Sequence, residues 1–112
     1  MASETPTPTL KLPSTVSGLR LDSGPRDVYV ADALVTPPLS SKEFDVLELL
    51  YQNQGDAVSR DDIVRVGWPE RTDGDVGNQE IEQCIRRIRR RIEPDPAKPR
   101  YVITVRGYGF KF

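Results

Sequence analysis

Five arginines lie among the six residues 86–91, interrupted only by Ile88. Guanidinium groups present paired N–H donors, so a cluster of them is suited to binding phosphates and the edges of bases. Isoleucines recur at positions 81, 85, 88 and 92, a spacing that places all four on one face of a helix. We therefore predict a helix that buries these isoleucines and turns a polar face outward. The predicted polar face comprises Gln79, Gln83, Arg86, Arg87 and Arg90, with Glu80, Glu82, Arg89 and Arg91 on its flanks.

The basic residues are unevenly distributed along this slightly acidic chain, whose formal net charge is −1. Residues 77–112 contain nine basic and four acidic side chains, a net charge of +5, whereas residues 1–76 carry −6. A basic region on an acidic body predicts a polyanion-binding face, with repulsion elsewhere fixing the orientation of the bound molecule. Charge alone leaves open that the helix is only a solvated basic surface.

Composition restricts the class of protein, because 112 residues suffice for one small domain. The single cysteine, Cys84, excludes an intrachain disulfide and fits a reducing compartment. No apolar run approaches the roughly 20 residues of a membrane span, and no signal peptide is recognised, so we expect a cytoplasmic protein without membrane contact. Because the chain has no histidine and no cysteine cluster, we expect no metal site, no cofactor and no enzymatic activity.

The chain divides into a short polar segment and one domain. Residues 1–16 are rich in Pro, Thr and Ser, which predicts a flexible tail or linker before a domain at 17–112. Alternating apolar residues on either side of "SGPR" then predict a short antiparallel hairpin, followed by one or two short strands in "ALVTPPLS".

Three helices follow, each with a recognisable start. Ser40 with Glu43, and Ser59 with Asp62, have the spacing of capping boxes, and the third helix is expected to begin near Gly77 and to run to residue 92. The first helix is predicted to stop at Gly55. The lone tryptophan, Trp68, is expected to cap the core at the end of the second helix.

The C-terminal segment "RYVITVRGYGFKF", residues 101–112 with the preceding arginine, predicts two strands joined by a turn. Gly107 and Gly109 are expected to supply positive φ angles there. The turn would present Arg106, and a single arginine can enter a minor groove. Three helices followed by a hairpin are typical of a winged helix-turn-helix, an α+β fold with the third helix in the recognition role.

The stretches "LSSKEFDVLELLYQNQGDAVSRDDI" and "IRRIRRRIEPDPAKPRYVITVRGYGFKF" resemble the DNA-binding effector domain of OmpR/PhoB-type response regulators. The resemblance covers about residues 18–112. It implies an N-terminal four-stranded antiparallel sheet, three helices and a C-terminal hairpin wing. It also implies transcription regulation through double-stranded DNA, usually by head-to-tail pairs on direct repeats.

The resemblance assigns roles to individual residues. Arg87 matches the base-reading arginine, and Arg86 and Arg89 match phosphate or groove contacts. Thr104 and Arg106 match contacts made by the wing. The loop from Trp68 to Asp75 corresponds to a segment that in this family can touch RNA polymerase. Within that loop the candidate polymerase contacts are Pro69, Glu70, Arg71 and Asp73.

Three positions depart from the family pattern. Gln79 and Glu80 stand where the family favours a basic residue and a threonine, and Cys84 replaces a histidine. A close phosphate is expected to repel Glu80 and Glu82, so the DNA site and the affinity should differ from the family norm. We therefore keep two hypotheses: sequence-specific binding of duplex DNA, or a winged-helix module for protein–protein contact with weak or no DNA binding.

Overall fold

The computed structural model describes residues 18–71 and 76–112. The first element along the chain is a three-stranded antiparallel sheet. Its strands are β1 (Leu19–Asp22), β2 (Asp27–Val30) and β3 (Ala33–Leu34), in the order β1-β2-β3. The predicted hairpin is confirmed, and the segment after it adds the two-residue β3. Residues 18–71 thus supply three strands to this sheet, where the resemblance implies four. The predicted tail at 1–16 lies outside the described residues.

The first helix, α1 (Ser41–Gln52), begins at the predicted capping box. The amide of Glu43 donates to Ser40 Oγ at 3.2 Å, and the amide of Ser40 donates to the Glu43 carboxylate at 3.1 Å. Two otherwise unpaired amides are satisfied in this way, which fixes where the helix starts. The helix ends at Gln52, slightly before Gly55, which has a φ of 88° in the following turn.

The second helix, α2 (Arg60–Gly67), shows one half of its predicted capping box. The amide of Asp62 donates to Ser59 Oγ at 3.1 Å. The Asp62 carboxylate instead accepts from Arg65 Nη1 at 2.6 Å, one turn along the helix. Trp68 follows the last helical residue and is only 3 % exposed, so its predicted place over the core is confirmed.

The third helix, α3 (Asn78–Ile92), starts at the predicted position, with Gly77 as its N-cap. Its end is fixed by Glu93, a buried acid that is 6 % exposed. The Glu93 carboxylate accepts hydrogen bonds from the three consecutive backbone amides of residues 100–102. This contact, which the sequence did not predict, ties the end of α3 to the segment that leads into the next strand.

The C-terminal hairpin consists of β5 (Ile103–Val105) and β6 (Gly109–Lys111). A third strand, β4 (Val58–Ser59), precedes α2 and pairs with β6, so the sheet has the order β4-β6-β5. The prediction of a two-stranded wing was therefore incomplete. Because β4 leads directly into α2, the wing is joined to the helices by backbone hydrogen bonds as well as by packing.

The predicted role of Gly109 was wrong. Gly107 has a φ of 73° and makes the turn, but Gly109 lies in β6 opposite Ser59. A Cβ on Gly109 would collide with the carbonyl oxygen of Val58. Glycine is needed there because two backbones approach closely, and not because the chain turns.

One hydrophobic core lies between the helices and both sheets. Helix α3 packs against α1 and α2. Its isoleucines belong to the same buried cluster as large side chains from those helices and from the wing, which fixes α3 on the core. The fully buried side chains of highest volume include Phe44, Leu47, Leu50, Ile63, Ile85, Ile88 and Phe110.

Candidate nucleic-acid interface

The predicted division of α3 into two faces is confirmed. Ile81, Ile85, Ile88 and Ile92 are at most 2 % exposed, so they form the seam that fixes the helix to the core. The predicted outward residues are all exposed, and four of them line one shallow cleft. The exposed set is Gln79, Gln83, Arg86, Arg87 and Arg90, of which all but Gln79 line the cleft.

Cys84 lies at the edge of the buried seam and is 5 % exposed. Burial, with a smaller contribution from the nearby Glu43 carboxylate, raises the pKa of the Cys84 thiol to about 11. The thiol is therefore protonated at neutral pH and is a poor nucleophile. It takes part in packing beneath the polar face.

The two acids of α3 are held in ion pairs. Both terminal nitrogens of Arg71 donate to the Glu80 carboxylate, at 3.1 and 3.2 Å. Arg60 Nη2 donates to Glu82 Oε2 at 3.0 Å, and its guanidinium carbon lies 5.3 Å from the centre of the Phe110 ring. The hydrogen bonds from Arg71 lower the pKa of Glu80. Sequence reasoning missed both pairs, because neither arginine is within helical spacing of its partner.

Arg89 links α3 to the wing. Its Nε and Nη2 donate to the carbonyl oxygen of Val102 at 3.1 and 2.9 Å, and Nη2 also donates to Thr104 Oγ1 at 3.0 Å. Partial burial lowers the pKa of this guanidinium. Two residues predicted to contact DNA separately, Arg89 and Thr104, are thus in contact with each other.

The tip of the wing is the turn at 106–108. Arg106 is exposed, as predicted, and the amide of Tyr108 closes the turn by donating to the carbonyl oxygen of Val105 at 3.0 Å. Tyr108 is 51 % exposed and Leu34 is 47 % exposed, and these two are the exposed large hydrophobic residues of 18–71 and 76–112. Tyr108 was not predicted as a contact residue, although its position between Gly107 and Gly109 at a predicted turn was a usable signal.

The candidate polymerase-contact loop is only partly described. Pro69 and Glu70 are exposed, and Arg71 is half-buried through its contact with Glu80. Pro69 and Arg71 border a groove of about 510 Å³ between α2 and the start of α3. Asp73 lies outside the described residues.

The described part of the chain also bears on metal sites and membrane spans. Residues 18–71 and 76–112 contain no group of three or more His, Cys, Asp or Glu side chains placed to hold a metal ion. None of the described helices is long and apolar enough to span a membrane.

Three helices, a short sheet joined to them and an exposed arginine-rich third helix beside a hairpin define the class of winged helix-turn-helix proteins. Residues 36–112 match the family described as "Transcriptional regulatory protein, C terminal". The chain belongs to this family, whose members are the DNA-binding domains of OmpR/PhoB-type response regulators.

Named relatives agree with this assignment. The chain is 38 % identical over 93 residues to the sensory transduction protein RegX3 of Mycobacterium leprae, an alignment that covers 83 % of the chain and 45 % of RegX3. It is 32 % identical over 98 residues to the probable transcriptional regulator ycf27 of Porphyra purpurea, with 88 % and 40 % covered. The chain thus spans less than half the length of these relatives.

Solved structures show the same fold. The response regulator DrrB of Thermotoga maritima, an OmpR/PhoB homologue, superposes with a TM-score of 0.72 at 32 % identity, covering 85 % of this chain and 41 % of DrrB. The Klebsiella pneumoniae RstA DNA-binding domain, solved in complex with the RstA box, superposes with a TM-score of 0.71 at 25 % identity, covering 85 % of this chain and 90 % of that domain.

Proposed function

We propose that this domain regulates transcription by binding a specific site on duplex DNA, with α3 in the major groove and the wing in the minor groove. The observation that carries the proposal is the exposed cleft of Gln83, Arg86, Arg87 and Arg90 directly above the buried isoleucine seam. The major groove admits one α-helix, and its base edges offer acceptors that match these donors. The RstA domain, with the same fold, was solved on its DNA box, which supports this mode of binding.

The exposed residues of α3 and the wing are proposed to make different kinds of contact with DNA. Arg87 would read a guanine through two parallel hydrogen bonds, and Gln83 and Gln79 would face neighbouring base edges. Arg86 and Arg90 would contact phosphates, which hold the helix in register without reading sequence. Arg106 would reach the minor groove from the tip of the wing. Arg89 is proposed to contact the DNA backbone while also holding the wing against α3.

Two further predictions from the resemblance belong to this proposal. Head-to-tail pairs on direct repeats would place two recognition helices about one turn of DNA apart on the same face, so the selected sites should contain half-sites at that spacing. The loop at Pro69, Glu70, Arg71 and Asp73 is proposed to contact RNA polymerase. Binding chromosomal DNA would place the protein in the cytoplasm.

The test is selection of bound fragments from random duplex DNA, followed by titration at 50 and 200 mM salt. If about four to six phosphates are contacted, the affinity should fall by about two to three orders of magnitude between these salt concentrations. A selected sequence together with this salt dependence would support the proposal. Failure to enrich any sequence, or binding that barely responds to salt, would favour the protein-contact hypothesis instead.

A further inference from the structure

The tip of the wing carries an exposed aromatic ring. Tyr108 is 51 % exposed and follows Arg106 and Gly107 in the turn between β5 and β6. Both of its backbone polar groups are bound within the protein: the amide donates to the carbonyl oxygen of Val105 at 3.0 Å, and the carbonyl oxygen accepts from the amide of Arg60 at 3.2 Å. The turn is therefore fixed in position, while the ring remains open to solvent.

Two contacts place the wing alongside α3. Arg89 donates to Thr104 Oγ1 at 3.0 Å, and Glu82 accepts from Arg60, whose backbone amide holds the tip. Glu82 and Arg89 are seven residues apart, so they lie on one side of the helix, and Arg86 lies between them on that side. Arg86 is one of the exposed arginines of the proposed DNA-binding face. The tip is thus held next to this face and can reach the same duplex.

The chemistry of a tyrosine suits the minor groove. The ring is apolar and packs against apolar surface, whereas the hydroxyl at its end forms hydrogen bonds. The walls of the minor groove are formed by deoxyribose, and A·T pairs present only acceptors on its floor, adenine N3 and thymine O2. A G·C pair adds the amino group of guanine, which projects into the groove. A ring inserted between the sugars, with its hydroxyl donating to the floor, therefore matches an A·T pair.

We propose that Tyr108 is a second minor-groove contact of the wing, beside Arg106. Its ring packs against deoxyribose, and its hydroxyl donates a hydrogen bond to an acceptor of an A·T pair. Arg106 responds to the negative potential of a narrow groove, whereas Tyr108 distinguishes A·T from G·C pairs through the guanine amino group. This inference rests on the proposed function, because it requires the wing to enter the minor groove.

The first test uses the duplex selected for the parent protein, shortened to one half-site so that contact between two copies cannot contribute. Tyr108→Ala removes the ring contact and the hydrogen bond, and it should lower the affinity about ten- to thirtyfold. Tyr108→Phe removes only the hydrogen bond and should lower the affinity about two- to tenfold. Leu34→Ala is the matched control, because Leu34 is 47 % exposed but lies on β3 of the N-terminal sheet. This control should bind like the parent.

The second test locates the contact with base analogues. Replacing one adenine at a time with 2,6-diaminopurine adds an amino group to the minor groove and leaves the major-groove edge of the base unchanged. At the pair that Tyr108 contacts, this replacement should weaken the parent protein and have less effect on Tyr108→Phe, which has no hydrogen bond to lose. The difference should persist when both proteins also carry Arg106→Ala, since the hydroxyl acts without the arginine.

The outcomes separate this inference from the proposed function. If Tyr108→Ala binds the half-site as tightly as the parent, the ring does not contact DNA and the inference is wrong. A loss confined to the full site would make Tyr108 a contact between two copies and would also overturn it. So would a half-site in which no adenine replacement distinguishes the parent from Tyr108→Phe. If the parent protein itself selects no duplex, the proposed function fails.

Discussion

The two halves of α3 use their charge differently. In the first half, Glu80 and Glu82 are each bound by an arginine from another element. In the second half, Arg86, Arg87, Arg90 and Arg91 are exposed, and none forms an ion pair with any other residue of 18–71 or 76–112. The acidic side chains of the first half are thus paired with cations of the protein, whereas the second half has unpaired positive charge that can bind a ligand.

This difference indicates which half of α3 should contribute more to DNA affinity. Exposed arginines with no internal partner lose little when they bind a phosphate or a base, because no existing contact must be broken. The first half must exchange an internal contact before it can contribute. We therefore expect the second half to supply most of the affinity and the first half to adjust it.

The largest effect is expected beneath both halves. Ile85→Ala should lower the free energy of unfolding by about 2–5 kcal/mol, because the side chain is fully buried and the surrounding core closes only partly around the cavity. Urea unfolding measures this change, and the exposed neighbour Gln83→Ala is the control. If the two variants had the same urea midpoint, α3 would not rest on the isoleucine seam.

Within the second half, Arg87→Ala should remove about 1–3 kcal/mol of discrimination between the selected site and a scrambled duplex. Binding to the scrambled duplex should barely change. Arg91→Ala, on the flank of the same half, should weaken both duplexes alike by a small amount. If Arg87→Ala lost affinity equally on both duplexes, Arg87 would be a phosphate contact. The two halves of α3 would then differ in how much affinity they supply but not in sequence specificity.

Also in the second half, Arg89→Ala should destabilise the protein by about 1–2 kcal/mol, since it removes hydrogen bonds to Val102 and Thr104. DNA binding should also weaken on every duplex, and the salt slope should become shallower by about one unit. Arg89→Lys keeps the charge but cannot make the same forked contact. Weaker binding in the lysine variant, measured where both proteins are fully folded, would show that Arg89 positions the wing.

The smallest expected effect on affinity belongs to Cys84, which lies where the two halves meet. The raised pKa, about 11 against an ordinary value of 9.0, keeps the thiol protonated in the folded protein. Between these two pH values only the unfolded chain loses its proton, so stability should fall as pH rises from 9 to 11. Iodoacetamide labelling at pH 8 should be slow in native protein and fast in urea. Rapid native labelling would show that α3 opens between its halves.

The features that the sequence predicted are local. The division of α3 into two faces follows from the spacing of four isoleucines, and the start of α1 follows from Ser40 and Glu43, three residues apart. Helical periodicity and helix capping depend on residues within about one turn of each other. Both features can therefore be predicted from a single sequence without knowing the fold.

The features that were missed depend on distant partners. Strand β4 has two residues, too few for an alternating pattern, and exists because β6 pairs with it. The true role of Gly109 depends on Val58, and the state of Glu80 depends on Arg71 beyond a loop. Such contacts follow from how the elements pack, which residue types and spacing do not specify.

The pairing of β4 with β6 has a consequence for how the protein folds during its synthesis on the ribosome. Val58 precedes α2, yet its strand partner is Phe110, so the surroundings of α2 are complete only when residue 111 has left the exit tunnel. Contacts between residues this far apart along a chain form late, because a long loop must close first. The arginines of α3 are therefore synthesised before the wing, and recognition of a site that needs both elements waits until β6 has paired with β4.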